Sequence, residues 1–308
     1  MSDLVGREDG APAPPAELAP PSWTQRAREL LVGRDVLRLV GHTPALLGRT
    51  RSRRRPVLLI TGFGGTDASL SPMRWFLRRA GHDARPVGLG RISDDVEELS
   101  MRVGSVAADL ADETDDQVVL VGWSIGGVLA REAAREQPDP VSRVVTFGTP
   151  VVGGPSYTAL ADRYTEERLA QIRALIEERE QQPIRVPITA MWSRNDGVVN
   201  PVACIDRRSP DVEHVEVGSS HVGMGFDPDV WRTVAERVAR AARTLDEPFR
   251  TTVLAHYLDG ASVAEIARRE GRPADTIRWR LRQGIERLRA KLVAEDGRDW
   301  SEWCVLLL

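Results

Sequence analysis

The stretch Val118-Val119-Leu120-Val121-Gly122-Trp123-Ser124-Ile125-Gly126-Gly127 runs from aliphatic residues through a serine turn into a helical pattern. Four consecutive aliphatic residues predict a strand covered on both faces, as in a parallel sheet. The pattern that follows Ser124 predicts a helix over 125–136. Between the two lies G-x-S-x-G, in which Gly122, Trp123 and Gly126 frame the serine. Glycines are needed there because the serine sits in a strained turn whose flanks leave no room for side chains. A helix starting at Ile125 aims its free N–H groups and its positive dipole end at whatever the serine attacks. In a chain with 26 glycines the five-letter pattern alone is weak, and its place between strand and helix makes it informative.

The same alternation extends outward. Strands are expected over 57–61, near Val87, and over 117–121, 143–147, 188–192 and 213–217. Helices are expected over 72–80, 94–110, 125–136 and 228–243, with a long charged helical stretch at 157–180. Short apolar strands separated by helices predict a mostly parallel sheet flanked by helices. From Trp23 to Leu47 apolar residues recur at helical spacing, interrupted by Gly41 and Pro44, which predicts two short amphipathic helices. Residues 1–22, rich in proline and alanine, are expected to be a disordered lead-in. Arg49, Arg51, Arg53, Arg54 and Arg55 form a solvated linker or, alternatively, a phosphate-binding patch.

Composition narrows the function classes. In 308 residues, 42 Lys+Arg stand against 45 Asp+Glu, so any nucleic-acid binding must come from local charge. Only Cys204 and Cys304 are present, which excludes a disulfide scaffold and a four-cysteine zinc site. A basic start followed by an apolar run is missing, as is an apolar stretch of roughly 18 residues, so a cytoplasmic protein without a membrane span is expected.

A serine hydroxyl needs a base, and the base needs a partner that fixes its tautomer. Among five histidines, His221 lies in the loop Gly218-Ser219-Ser220-His221-Val222-Gly223 after the strand at 213–217. Asp196, in Ser193-Arg194-Asn195-Asp196-Gly197, follows the strand at 188–192. Both then fall at C-terminal strand ends, where parallel sheets place reactive groups. Plainer alternatives are an ordinary loop histidine and a turn aspartate beside Gly197. Asp206, Asp211 and Asp227 are weaker candidates for the acid. Charge developing on a substrate oxygen requires N–H donors, and the candidates are Ile125 and either Phe63 or Gly64 in Thr61-Gly62-Phe63-Gly64-Gly65. No lysine follows this loop as a phosphate-binding Walker loop requires.

Residues 23–243 resemble the α/β-hydrolase superfamily, in particular its bacterial esterase/lipase-like branch. The likeness is carried by residues 56–65, by Gly122-Trp123-Ser124-Ile125-Gly126-Gly127, by Ser193-Arg194-Asn195-Asp196-Gly197-Val198-Val199 and by Ser219-Ser220-His221-Val222-Gly223-Met224. Thr61 departs from it, since many members carry histidine before this glycine. The resemblance implies an α/β-hydrolase domain over 23–244. It implies hydrolysis of a small acyl-ester or lipid substrate by a Ser124-His221-Asp196 triad, with no cofactor and no metal. Activity should then rise with pH through the histidine titration, about 6.5 when unperturbed. A candidate lid spans 155–185, where Leu169, Ile172, Leu175 and Ile176 form an apolar stripe; packing on the core is the plainer account.

After Leu245 the pattern becomes all helical, over 248–258, 262–270 and 274–293. Ser262-Val263-Ala264-Glu265 is a capping box. Between Arg268 and Lys291 nine basic residues stand against three acidic ones. A short helix, a tight turn and an arginine-rich helix suit a DNA major groove. Residues 245–292 resemble region 4 of sigma-70 family factors of the extracytoplasmic-function type. The likeness rests on Asp246-Glu247-Pro248-Phe249-Arg250, Tyr257-Leu258-Asp259-Gly260, Ser262-Val263-Ala264-Glu265-Ile266-Ala267 and Thr276-Ile277-Arg278. It implies a helix-turn-helix domain over 245–295, binding duplex DNA of the promoter −35 type and RNA polymerase. The candidate contacts are Arg272, Asp275, Arg278, Trp279 and Arg282. Docking or dimerisation is the alternative for this unit. An apolar tail, 296–308, with Trp300 and Trp303, closes the chain. Two readings stand: a serine esterase fused to a DNA-binding module, and a transcription regulator whose hydrolase-like domain senses a ligand.

Overall fold

The computed structural model describes residues 18–49, 55–93, 95–239, 249–257 and 260–296. Its strands are β1 (Pro56–Ile60), β2 (Asp83–Pro86), β3 (Val118–Trp123), β4 (Val141–Phe147), β5 (Ile188–Trp192) and β6 (Val212–Glu216). Its helices are α1 (Trp23–Arg26), α2 (Val32–Arg49), α3 (Ser71–Arg79), α4 (Val96–Thr114), α5 (Ile125–Glu136), α6 (Glu166–Arg179), α7 (Pro228–Ala239), α8 (Phe249–Tyr257), α9 (Val263–Glu270) and α10 (Ala274–Asp296).

The six strands form one sheet in the order β2-β1-β3-β4-β5-β6, and every neighbouring pair is parallel. The alternation of side chains along each strand explains why the central strands are apolar throughout. Val57 and Leu59 of β1, with Val119 and Val121 of β3, face a core shared with Met73, Phe76 and Leu77 of α3 and with Trp231 and Val234 of α7. Their sequence neighbours Leu58, Ile60 and Leu120 face the opposite core, beside Val103 and Ala107 of α4 and Leu129 and Ala133 of α5. Each such side chain removed from water contributes roughly 1.5–3 kcal/mol, so a one-residue slip of any central strand would invert both cores at once.

Chain order runs from β1 outward to β2, then back across to β3 and onward to β6. The direction therefore reverses between β1 and β3. In open parallel sheets such a switch point leaves a crevice at the carboxyl ends of the two strands. The glycine loop after β1 and Ser124 after β3 both lie there.

The helix over 125–136 and the strand over 188–192 fall where the sequence predicts them. Three differences have physical causes. Instead of breaking at Gly41 and Pro44, α2 runs on to Arg49, and the irregularity lies upstream, where Ala27–Leu31 winds as a 3-10 turn. Leu39 and Leu46, two turns apart on α2, are both buried in the main core. Their burial offsets the cost of about 3 kcal/mol that an internal proline carries. The stretch 157–180 is not one helix. Gly154–Tyr157 and Ala161–Arg163 are 3-10 turns, and α6 begins only at Glu166, where Thr165 accepts the Arg168 N–H at 3.2 Å. Edge strand β2 precedes Val87, because its outward residues Asp83 and Arg85 pair with each other rather than forming an apolar run.

Helices α8, α9 and α10 pack on one another around Val253, Val263, Ile266, Ile277 and Leu281. Ser262 and Glu265 close the capping box at the start of α9, and Gly271 ends that helix in the left-handed conformation at φ 62°. Among the described residues no helix is long and apolar enough to cross a membrane. Arg55 is buried, 4.0 Å from Asp116, whereas Arg51, Arg53 and Arg54, the lead-in up to Glu17, Trp300, Trp303 and Cys304 lie outside the described residues.

Candidate active site

Ser124 stands between β3 and α5 with φ 56° and ψ −127°, one of two non-glycine residues among those described with positive φ. Such a conformation costs on the order of 1–3 kcal/mol and persists only where its surroundings enforce it. Its neighbours show how. A Cβ on Gly122 would stand 2.5 Å from the Gly126 carbonyl oxygen, and one on Gly126 would meet the Ile60 carbonyl carbon at 2.7 Å. The start of α5 is thus pressed against both its own strand and β1, and only glycine fits at either position. The Ser124 N–H donates to Phe147 O at 2.9 Å, tying the turn to the end of β4.

From that contact the chain passes directly to the other two predicted residues. A Cβ on Gly148 would lie 2.8 Å from His221 Nδ1 and 3.3 Å from Asp196 Oδ2. The ends of β3, β4, β5 and β6 therefore converge on Phe147 and Gly148. His221 Nδ1 and Asp196 Oδ2 are 2.8 Å apart, and both side chains are buried. The other Asp196 oxygen accepts the N–H groups of Val198 at 2.8 Å and Val199 at 2.7 Å, which fixes the carboxylate. The Trp123 ring lies 6.0 Å from the imidazole and 6.1 Å from the Phe147 ring, bridging the elbow and the histidine. Hydrogen bonds of His221 run to Asp196 and Glu29, and among the described residues none joins it to Ser124 Oγ. Such bonds are often long before substrate binds.

Burial opposes a charge on His221, but the Asp196 carboxylate, its hydrogen bond and the charge of Glu29 outweigh it. The ring is held above the ordinary histidine pKa of 6.5. The weaker acid candidates are placed elsewhere. Asp206 pairs with Arg131 at 2.8 Å, and Asp227 accepts the Asp229 N–H at 2.7 Å at the start of α7.

Of the candidate oxyanion donors, Ile125 is the first residue of α5, so its N–H has no intrahelical partner. Gly64 is corrected: its N–H donates to Ile92 O at 2.9 Å and is already used. Phe63 is then the candidate of that loop. Phe63 is 39 % exposed, and the loop reaches the elbow through Gly62, where a Cβ would be 3.3 Å from Ser124 Cβ.

Sequence reasoning missed Gly148, Ser193, Asn195 and Glu29. Ser193 Oγ donates to Ser219 O at 2.6 Å and Asn195 Nδ2 to Gly218 O at 3.0 Å, joining the aspartate turn to the histidine loop. Their only signal was adjacency to Asp196. Nothing in the sequence marked Gly148 or Glu29. In the helical unit the candidate DNA contacts Arg272, Asp275, Arg278, Trp279 and Arg282 are all exposed, and Arg278 bonds Asp275 at 2.8 Å.

A serine elbow at the switch point of a parallel sheet, with acid and imidazole following later strands in the chain order Ser-Asp-His, defines the α/β-hydrolase fold. No family model matches the chain, and no curated protein matches it in sequence. Solved structures similar to it include the Bacillus licheniformis lipase BlEst2 (15 % identity, 59 % of this chain and 92 % of that one, TM-score 0.48). Another is the Paleococcus ferrophilus monoacylglycerol lipase (18 %, 60 % and 95 %, 0.46). A third comes from the metagenome-derived lipolytic enzymes LipS and LipT (20 %, 61 % and 93 %, 0.43).

Proposed function

We propose that this chain is a serine hydrolase of carboxylic esters, with Ser124 as nucleophile, His221 as base and Asp196 as the group that orients it. The observation that supports this reading is the buried His221–Asp196 pair at 2.8 Å, which packs against Gly148, next to the Phe147 whose carbonyl accepts the N–H of the strained Ser124. In the first step Ser124 Oγ attacks the acyl carbonyl while its proton passes to the imidazole Nε2. The oxygen that becomes negative accepts the N–H groups of Ile125 and Phe63. The imidazolium then protonates the departing alcohol. A water molecule, deprotonated by the same imidazole, releases the acid and restores Ser124. This chemistry requires no cofactor.

Exposed apolar side chains directly beside site residues, Phe63 and Val222, favour an apolar acyl group. A fluorophosphonate probe should label the protein, and Ser124→Ala should abolish both labelling and p-nitrophenyl ester turnover. An unlabelled wild-type protein would leave the second reading, a regulator whose hydrolase-like domain binds a ligand without turning it over.

That second reading draws on the helical unit. Its support is a capped α9 that ends at the left-handed Gly271 just before α10, with Arg272, Arg278 and Arg282 exposed. Binding to a promoter-like duplex that falls steeply with salt supports DNA recognition; salt-insensitive or undetectable binding supports docking or dimerisation.

A further inference from the structure

Both loops that carry the imidazole and its acid leave the sheet as separate strand ends, and a helical segment outside the sheet joins them. The 3-10 turn Ala27–Leu31 sets Glu29 between the two. One oxygen of Glu29 accepts the Gly197 N–H at 2.8 Å and the His221 N–H at 2.9 Å, and the other accepts the Val222 N–H at 2.9 Å. A single carboxylate thus gathers three backbone amides from two loops, one beside Asp196 and one on His221 itself. Hydrogen bonds to an ionised acceptor are about twice as strong as neutral ones.

The surrounding contacts repeat the pattern. Arg28 Nη1 donates to Arg194 O at 2.6 Å on the aspartate turn, and Arg34 Nη2 donates to Gly218 O at 3.1 Å on the histidine loop. Gly197 lies so close to this segment that a Cβ there would stand 2.5 Å from Gln25 O and 2.9 Å from Arg26 Cα. The buried Gly223 would place one 2.9 Å from Ser220 Oγ and against Asp35. The helical segment is therefore fitted to these two loops: Asp35 accepts the Ser220 N–H of the histidine loop at 3.4 Å, and Glu29 is the carboxylate that bonds both loops.

We infer that Glu29 is a positioning residue of the active site: it fixes the His221 loop against the Asp196 loop and sets a second negative charge beside the imidazole. The kinetic part of this inference rests on the serine hydrolase reading above; the electrostatic part does not. When the imidazole takes the serine proton it becomes a cation, and Glu29 favours that cation together with Asp196. Burial alone would disfavour it, and the raised pKa of His221 is the balance of these effects.

The test uses the full-length chain as wild type, Glu29→Gln and Glu29→Ala. Glutamine keeps an oxygen able to accept the Gly197 and His221 amides while removing the charge, and gives up only the acceptor of the Val222 N–H. The His221 ring titration is followed by NMR, with His221→Asn identifying its resonance, and fluorophosphonate labelling is followed against pH. In Glu29→Gln the ring midpoint and the acid limb of labelling should both move down together. In Glu29→Ala labelling should slow by roughly 10- to 100-fold at every pH, with kcat for an ester falling more than KM rises. A Glu29→Gln ring that titrates at the wild-type midpoint overturns the inference. Glu29→Ala labelling at the wild-type rate does so as well. If Glu29→Ala fails to fold, the Glu29→Gln midpoint decides. A shifted midpoint in a protein that never labels supports the electrostatic role of Glu29 and removes only the hydrolase reading.

Discussion

Gly148 Cα points its missing side chain at the His221 ring: a Cβ there would stand 2.8 Å from Nδ1 and 2.9 Å from Cε1. Its φ of 57° already disfavours any L side chain. Gly148→Ala should therefore act on the imidazole far more than on the fold. The stability loss should be about 1–2 kcal/mol from the backbone conformation. Labelling by a fluorophosphonate should fall by about 100-fold, the size expected when a reacting group is displaced by an ångström. Urea denaturation and labelling rates on the same sample check the two parts. Full labelling by Gly148→Ala would show that the ring position does not matter.

The pH dependence follows from the direction of the His221 shift. Only the neutral ring can accept the serine proton, and its folded pKa lies above 6.5 because Asp196 and Glu29 overcome the effect of burial. Ester kcat/KM should then rise with pH along a limb whose midpoint lies above 6.5, not at it. A pH profile with a midpoint at or below the ordinary histidine value contradicts the assignment of His221 as base.

Much of this site was legible because its chemistry is local in sequence. Gly122, Ser124 and Gly126 announce a strand, an elbow and a helix together, and the close approaches at Gly122 and Gly126 explain why no other residue serves there. Asp196 and His221 were legible because each follows a strand, the apolar β5 and the more polar β6. Gly64 misled because a loop glycine offers an N–H, while the partner that occupies it, Ile92 O, is a neighbour only in space. Glu29 was silent for the same reason. It lies 168 residues from Gly197 and 192 from His221, and no periodicity reports which amides a half-buried carboxylate will collect. Pro44 misled in the opposite way, as burial of Leu39 and Leu46 carried the helix through a residue that locally breaks it.

His214 in β6 gives a stability prediction of opposite sign to that of His221. Its Nε2 accepts the Asp206 N–H at 3.1 Å, so the ring is neutral in the fold. Burial lowers its pKa, and the charges of Arg207 and Arg131 add to this against the opposing Asp206 and Glu213. As pH falls through about 6.5, the unfolded chain takes up a proton that the fold resists, and stability drops. The raised His221 contributes stability below its unfolded pKa and loses it as pH rises through the folded one. His214→Gln, which can still accept the Asp206 N–H, should lose less stability than wild type between pH 7 and pH 5 in urea denaturation. Parallel losses would mean that His214 does not titrate on unfolding.

The Arg131–Asp206 pair tests what anchors the loop between β5 and β6. Arg131 of α5 is buried, and its guanidinium lies 2.8 Å from Asp206 Oδ2 and 3.7 Å from Glu180. The second Asp206 oxygen accepts the N–H groups of Arg208 at 2.8 Å and Ser209 at 3.0 Å. Burial resists the charge on Asp206, yet Arg131 and these amides hold its carboxyl well below the usual carboxylate range. Arg131→Met removes the cation and strands a buried carboxylate, which costs about 3–5 kcal/mol when one member of such a pair is deleted. Adding Asp206→Asn removes the stranded charge and keeps an oxygen for both amides. The double variant should therefore be more stable in urea than Arg131→Met alone. Equal stabilities would assign the loss to packing around the Arg131 stem, not to the unpaired charge.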